Sequence, residues 1–290
     1  MVKTAIIGAS GFVGRHLFKK YLSAFPDTVG TSFSQSNPAL HPFDIRRPDL
    51  AALKLQSLGV QSLLITSAKP NIAYCERNPD AARAVNVEGM LELIRQAVNF
   101  GIQPIFFSSD YVFDGRTGNY DDDAPTHPAR EYGRQKQAVE NELPRLTDNY
   151  LILRLSKIYG TQKGDGTLLD DLAKSLQSGA EVCAATDQIF SPTHVDDLVN
   201  AIVTIQERGL CGTINVCAPE AHARYEVAVA LARSLGLSSS RVTPVSLHDL
   251  PGMSSRPLNT NMRSTRLAKE VGAVFTPLQV GVETIAAQWQ

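Results

Sequence analysis

The feature that most constrains this chain is its beginning. A strand-length run, Thr4 to Ile7, leads into Gly8-Ala9-Ser10-Gly11-Phe12-Val13-Gly14, and apolar residues then recur at 13, 17 and 21 through Gly11 to Ala24. A strand that breaks at a glycine loop and re-enters as a helix opens a βα unit. Further strand-length runs follow at Thr28 to Thr31, Ser62 to Thr66, Pro104 to Phe107 and Tyr150 to Leu155, separated by helical patterns that include a long helix expected over Pro79 to Phe100 and ended by Gly101. Strands joined through helices pair in parallel, with the helices covering both faces. The expected fold is therefore α/β, a Rossmann-type doubly wound parallel sheet.

After Tyr159-Gly160 the alternation loosens into a Gly164-Asp165-Gly166 loop and short segments interrupted by prolines at 192, 219, 244, 251, 257 and 277. The division expected is a dinucleotide-binding domain over residues 1–160 and a smaller C-terminal substrate-binding lobe over 161–290. Residues 194–216 return to the first domain, because Val195, Leu198, Val199 and Ile202 have helical spacing and Gly212 to Val216 reads as a strand.

Composition enters mainly as an exclusion. With 290 residues and 43% hydrophobic content the chain can fill a sizeable core. Its 28 basic and 29 acidic residues nearly cancel, so no long-range field favours nucleic acid or an anionic membrane. Cys75, Cys183, Cys211 and Cys217 form no CxxC pair and no His-rich tract accompanies them, which argues against zinc and against a disulfide framework. Asp121-Asp122-Asp123 is a solvated acidic turn, since consecutive carboxylates converge poorly on one ion; no metal site is expected. The apolar run before Gly8 is too short for a signal segment or a membrane span, so a reduced cytoplasmic protein is the expectation.

The glycine loop sits where such a loop has meaning, after a strand and at the start of a helix. Gly8, Gly11 and Gly14, with Ser10, Phe12 and Val13 between them, would let backbone N–H groups at the helix N-terminus meet a pyrophosphate. Asp44-Ile45 could accept from an adenine amino group. At the end of the second strand, Gly30-Thr31-Ser32-Phe33-Ser34 lacks the carboxylate that usually holds a ribose 2'-hydroxyl, and the small hydroxyls of Thr31 and Ser32 leave room for a 2'-phosphate. That composition favours NADP(H), with NADPH preferred over NADH, although no arginine stands within the turn itself.

Tyr132 and Lys136 lie at i and i+4, on one helix face. An ammonium beside a phenol, reinforced by the positive oxidised nicotinamide, is expected to lower the phenol pKa toward neutrality, making Tyr132 a usable proton donor and acceptor. Ser109, at the end of Phe107-Ser108-Ser109-Asp110, would hydrogen-bond the developing alkoxide. Glycine loop, serine and Tyr-Lys pair together describe hydride transfer on a nicotinamide cofactor, with Lys136 also holding the nicotinamide ribose.

On these residues the chain resembles the extended short-chain dehydrogenase/reductase superfamily and, within it, the dTDP-4-dehydrorhamnose reductase family. The resemblance is carried by the glycine loop, Asn86-Val87, Ser108 through Gly115, Tyr132 through Lys136, Leu153-Arg154 leading to Tyr159-Gly160, Asp187-Gln188 through Ser191-Pro192-Thr193, and Arg256-Pro257. It implies Ser109, Tyr132 and Lys136 as a catalytic triad with Asp110 near the substrate, and a nucleotide-sugar site between lobes that Gln188, Pro192, Thr193 and Arg256 would help form. Three departures stand out. Ile65-Thr66-Ser67-Ala68-Lys69-Pro70 replaces an Asn-Ala-Ala-Ala run, placing Ala68 near the cofactor and Lys69 near the substrate. Leu155-Ser156-Lys157 replaces Thr-Ser-Trp, exchanging an aromatic surface for a cation. Arg15-His16 replaces a glutamate used in metal-bridged dimers, so a monomer or a homodimer without magnesium is expected.

The resemblance thus implies an NADP(H)-dependent reductase of a 4-keto-6-deoxy nucleotide sugar, as in dTDP-rhamnose biosynthesis. Two alternatives accompany it. One is a nucleotide-sugar epimerase; dehydration is disfavoured because Tyr111 follows Asp110 where dehydratases place a glutamate. The other is a non-catalytic NADP-binding regulatory subunit, since Ser108 to Gly115 and Pro192 to Val195 are also similar to the methionine adenosyltransferase beta subunit.

Overall fold

The computed structural model describes residues 1–34, 37–253 and 256–289. Contacts divide the chain into two compact units. The first comprises Met1–Val112, Thr126–Arg154 and Val199–Ile214; the second comprises Phe113–Pro125, Leu155–Leu198 and Asn215–Gln290.

The first unit is built on strands β1 (Thr4–Ile7), β2 (Thr31–Ser32), β3 (His41–Pro42), β4 (Ser62–Ile65), β5 (Gln103–Ser109), β6 (Leu151–Leu155) and β7 (Gly212–Val216). Five of them form one parallel sheet in the order β1-β4-β5-β6-β7, a Rossmann-type arrangement. Register is set by direct pairs such as Ala5 with Leu63 and Leu64 with Ile105. The short parallel pair β2-β3 lies on the other side of β1, joined by the bridge of Ile6 to Gly30. Every residue of β1, β4 and β6 is buried, as a sheet covered on both faces requires. The second strand had been expected at Thr28 to Thr31. It starts later, because Val29 and Gly30 contact β1 only through single links, including Ile6 N–H to the Val29 carbonyl at 2.9 Å.

Helix α1 (Phe12–Ala24) follows β1 as the spacing predicts and buries Gly14, Leu17 and Tyr21. The helix expected over Pro79 to Phe100 is not continuous. It runs as α2 (Pro79–Arg83), a π turn at Ala84–Gly89, and α3 (Met90–Asn99). The extra residue in that turn directs Asn86 inward, where its amide accepts from Lys69 N–H at 2.8 Å and donates to the Lys69 carbonyl at 3.2 Å and to Gln135 at 2.8 Å. Gly89 sits where a Cβ would fall 2.0 Å from the Ile45 carbonyl oxygen, so only glycine lets the helix pass that strand end. Helix α4 (Glu131–Leu146) carries Tyr132 and Lys136 and is tied to β6 by the buried pair of Arg154 with Glu140, with contacts of 2.8 to 3.2 Å.

The second unit has its own core, in which Leu169, Ala173 and Leu176 of the helix Leu168–Gln177 pack with Leu231 of Arg224–Ser234 and Ile285 of Leu278–Trp289. Its strands are short: Val182–Ala185 pairs in parallel with Val242–Val245, and Ile189–Phe190 pairs antiparallel with His222–Ala223. Among the described residues no helix is long and apolar enough to cross a membrane.

Candidate active site

The turn from β1 to α1 is shaped by its glycines. Gly8 has φ of +92°, a conformation that a side chain would strain, and its N–H donates to the Thr31 hydroxyl at 3.1 Å. A Cβ on Gly14 would fall 2.1 Å from the Gly8 carbonyl oxygen, so glycine is what lets α1 begin against the strand end. Thr66 fastens the turn from the next strand, donating to the carbonyls of Ile7 and Gly8 at 2.9 and 3.0 Å. At the start of α1, Gly11 supplies no side-chain cap and the first turn holds no acidic residue. Amides left without such partners, in a turn open to close approach, fit the pyrophosphate of a dinucleotide. Ser10, Phe12 and Val13 are half-buried around this turn, and Ala68 is half-buried beyond the end of β4.

The chemically active side chains stand at the ends of β5 and α4. Ser109 closes β5; its hydroxyl donates to Asp110 at 2.9 Å and accepts the Tyr111 N–H at 3.2 Å. Gly133 permits the close packing of α4 here, since a Cβ would fall 2.0 Å from the Tyr111 carbonyl. Tyr132 is buried beside Tyr111, their rings edge to face with centroids 6.2 Å apart, and in a cluster with Cys75 and Ala82. Lys136 is almost completely buried. Its ammonium donates to the Phe107 carbonyl at 2.6 Å and lies 5.7 Å from the Tyr132 ring centroid.

In the protein by itself, burial is the largest influence on both Tyr132 and Lys136. Burial pushes the Tyr132 phenol above its ordinary value, the Asp110 carboxylate pushes it further, and the hydrogen bond with Ser109 opposes them. Burial also lowers the Lys136 ammonium from 10.5 to about 8, against the pull of Glu140. Tyr132 and Lys136 share one face of α4, and the low dielectric there favours the neutral form of each.

At the far side of the glycine turn, Thr31 and Ser32 are buried, and the Thr31 hydroxyl is engaged by Gly8. Asp44 is held by a residue that sequence reasoning passed over. Arg46 forms a forked pair with it, Nε to both oxygens at 2.9 and 3.1 Å and Nη2 at 2.6 Å, and the guanidinium holds the Asp44 carboxyl below its usual range. The same guanidinium lies 5.1 Å above the ring of the exposed Phe33. An arginine thus reaches the end of β2 from thirteen positions beyond Phe33; the Asp44-Ile45-Arg46 spacing was its sequence signal. Ile45 is buried in the core.

Lys69 is exposed, its ammonium 5.9 Å from the Tyr74 ring, while its backbone is fixed by Asn86. The remaining expected substrate residues lie in the second unit. Lys157 is exposed. Gln188 is buried and accepts from Arg224 Nε at 2.6 Å. Thr193 is fully buried, its hydroxyl donating to the Ser191 carbonyl and accepting the Ala218 N–H. Pro192 lines a small cleft with Glu220, His222 and Phe275, and Arg256 is half-buried.

The fold defines the class, a Rossmann-type protein, with a glycine turn shaped to fit a dinucleotide and a Ser–Tyr–Lys group buried at the ends of β5 and α4. The particular family follows from the whole length. Residues 2–290 match the family model described as the RmlD substrate binding domain, and the chain belongs to that family. Among solved structures it is similar to a hypothetical dTDP-4-dehydrorhamnose reductase from Sulfolobus tokodaii, 26% identical with a TM-score of 0.84, over 97% of this chain and 99% of that one. The dTDP-4-dehydrorhamnose reductase of Bacillus anthracis, solved in complex with NADP, shares the fold at a TM-score of 0.81 and 23% identity, over 99% and 100% of the two chains. A curated relative, methionine adenosyltransferase 2 subunit beta of Danio rerio, is 26% identical over 91% of this chain and 84% of its own length.

Proposed function

We propose that this protein is an NADP(H)-dependent reductase of a 4-keto-6-deoxy nucleotide sugar, acting in a pathway like that of dTDP-rhamnose. The observation that carries this reading is the burial of Ser109, Tyr132 and Lys136 together at the ends of β5 and α4. Bound NADPH would supply the hydride. Tyr132 gives its proton to the carbonyl oxygen as negative charge builds there, and the Ser109 hydroxyl hydrogen-bonds the same oxygen. Lys136, poised to gain or lose a proton near pH 8, restores the phenol and holds the nicotinamide ribose. The glycine turn would hold the pyrophosphate, and Ala68 is proposed to contact the cofactor. Asp110 orients Ser109. Lys69, Lys157, Gln188, Pro192 and Arg256 are the residues proposed to bind the sugar nucleotide, Arg256 through its planar fork to phosphate, while the fully buried Thr193 holds its segment in place through its two internal bonds.

The likeness to a methionine adenosyltransferase beta subunit supports a second reading, an NADP-binding regulatory subunit. Absorbance-followed NADPH oxidation, with enzymatically generated dTDP-4-keto-6-deoxy sugar as acceptor, separates the two. Sugar-dependent oxidation that Tyr132→Phe lowers by about 100-fold or more, with NADPH affinity retained, is the result expected of the reductase. Binding of NADPH without oxidation by the unaltered protein would move the reading to the regulatory subunit.

A further inference from the structure

The proposed cofactor reading leaves open what would recognise the 2'-phosphate, because the residues from Gly30 to Ser34 themselves include no carboxylate or arginine. We infer that Arg46 is the residue that selects the 2'-phosphate of NADP(H), an assignment that rests on the NADP(H) reading above.

Position comes first. Thr31 of β2 is bonded to the glycine turn, so the residues just beyond it, Ser32 to Ser34, lie where the adenosine ribose of a dinucleotide on that turn would reach. An open cavity of about 460 Å³ adjoins this end of the strand, lined by Ser32, Phe33, Ser34 and Asn37 among others. Arg46 stands at its rim through its contact with the Phe33 ring. Asp44 and the Phe33 ring contact the guanidinium while 51% of the Arg46 side chain stays exposed, open to an incoming phosphate.

Charge comes second. Asp44 alone would repel a dianion at this point. Arg46 neutralises it, and the charge of Arg47 is also felt at the Asp44 carboxyl, so two guanidiniums face one carboxylate. The local balance is positive in a chain whose net charge is −1. Arg46 bonds Asp44 through Nε and Nη2, and its Nη1 is the group that would meet the phosphate. A cofactor without the 2'-phosphate leaves this group to water and gains nothing from it.

The test is equilibrium binding, by titration calorimetry, of NADP+, NAD+ and the fragments 2',5'-ADP and 5'-AMP to the unaltered protein, Arg46→Ala and Arg46→Lys. Arg46→Ala is expected to weaken NADP+ and 2',5'-ADP by about 10- to 100-fold and leave NAD+ and 5'-AMP within about twofold. Arg46→Lys, which keeps the charge but loses the fork, should fall between. Equal weakening of all four nucleotides, or no weakening of any, would overturn the inference while leaving the reductase reading standing. Failure of the unaltered protein to bind either dinucleotide would remove that reading and the inference together.

Discussion

At the scale of the residue, Lys136 shows what the site costs the fold. Its ammonium is buried among Phe106, Phe107 and Tyr132, where one carbonyl hydrogen bond replaces a full hydration shell. Folded, it binds its proton more weakly than the unfolded chain does, with a value of about 8 against 10.5. Between those two values the unfolded state holds more protons, so the stability contributed by this residue rises with pH across that window and is lowest below it. Lys136→Met should therefore stabilise the protein at pH 7 by about 1–3 kcal/mol while removing catalysis. Urea unfolding at pH 7 and pH 10 checks this: the advantage of the variant should shrink at the higher pH, and an advantage that did not change with pH would assign it to packing alone. Tyr132 has the opposite sign, since its raised phenol favours the folded state below its ordinary range and that preference is lost as pH climbs toward the raised value.

At the scale of the element, α4 is the platform of the site, and its apolar packing on the sheet through Val139 and Leu143 is joined by one buried ion pair. Arg154 on β6 and Glu140 on α4 are 8% and 6% exposed, and the guanidinium forks onto the carboxylate. Each charge is tolerable only because the other is there. Glu140→Ala should cost about 3–5 kcal/mol in chemical unfolding by leaving Arg154 charged and buried, whereas Glu140→Leu combined with Arg154→Met should recover most of that loss. A single variant as stable as the unaltered protein would mean that water reaches Arg154. The π turn at Ala84–Gly89 serves the same platform from the other side, because Asn86 links the Lys69 backbone to Gln135 of α4. A periodicity argument sees only an uninterrupted apolar stripe through this segment. The turn is decided by Gly89 meeting the Ile45 carbonyl, a contact between residues 44 positions apart.

At the scale of the whole molecule, a dinucleotide that binds only the folded protein must raise its stability by mass action. NADP+ at about 100 times its dissociation constant should add about 2.7 kcal/mol, measured as a shift in thermal unfolding, with a smaller shift for NAD+ at the same concentration. No shift with either nucleotide would count against the cofactor reading. The strand-helix alternation, the glycine turn, and the Ser109, Tyr132 and Lys136 set were legible in the sequence, because each is a local pattern: period, chain reversal, and i to i+4 spacing on one helix. Tertiary structure decided the rest. Burial, the largest influence on the Tyr132 phenol, comes from packing around α4 and not from spacing along the chain. Thr193 was readable as a motif residue, yet only packing showed both bonds of its hydroxyl to be internal. Arg46 acquired its place at the end of β2 from the parallel pairing of β2 with β3, which brings the residues after β3 back to Phe33. Spacing along a chain fixes which side chains can share a face; the dielectric around them and the partners from distant strands exist only once the chain has folded.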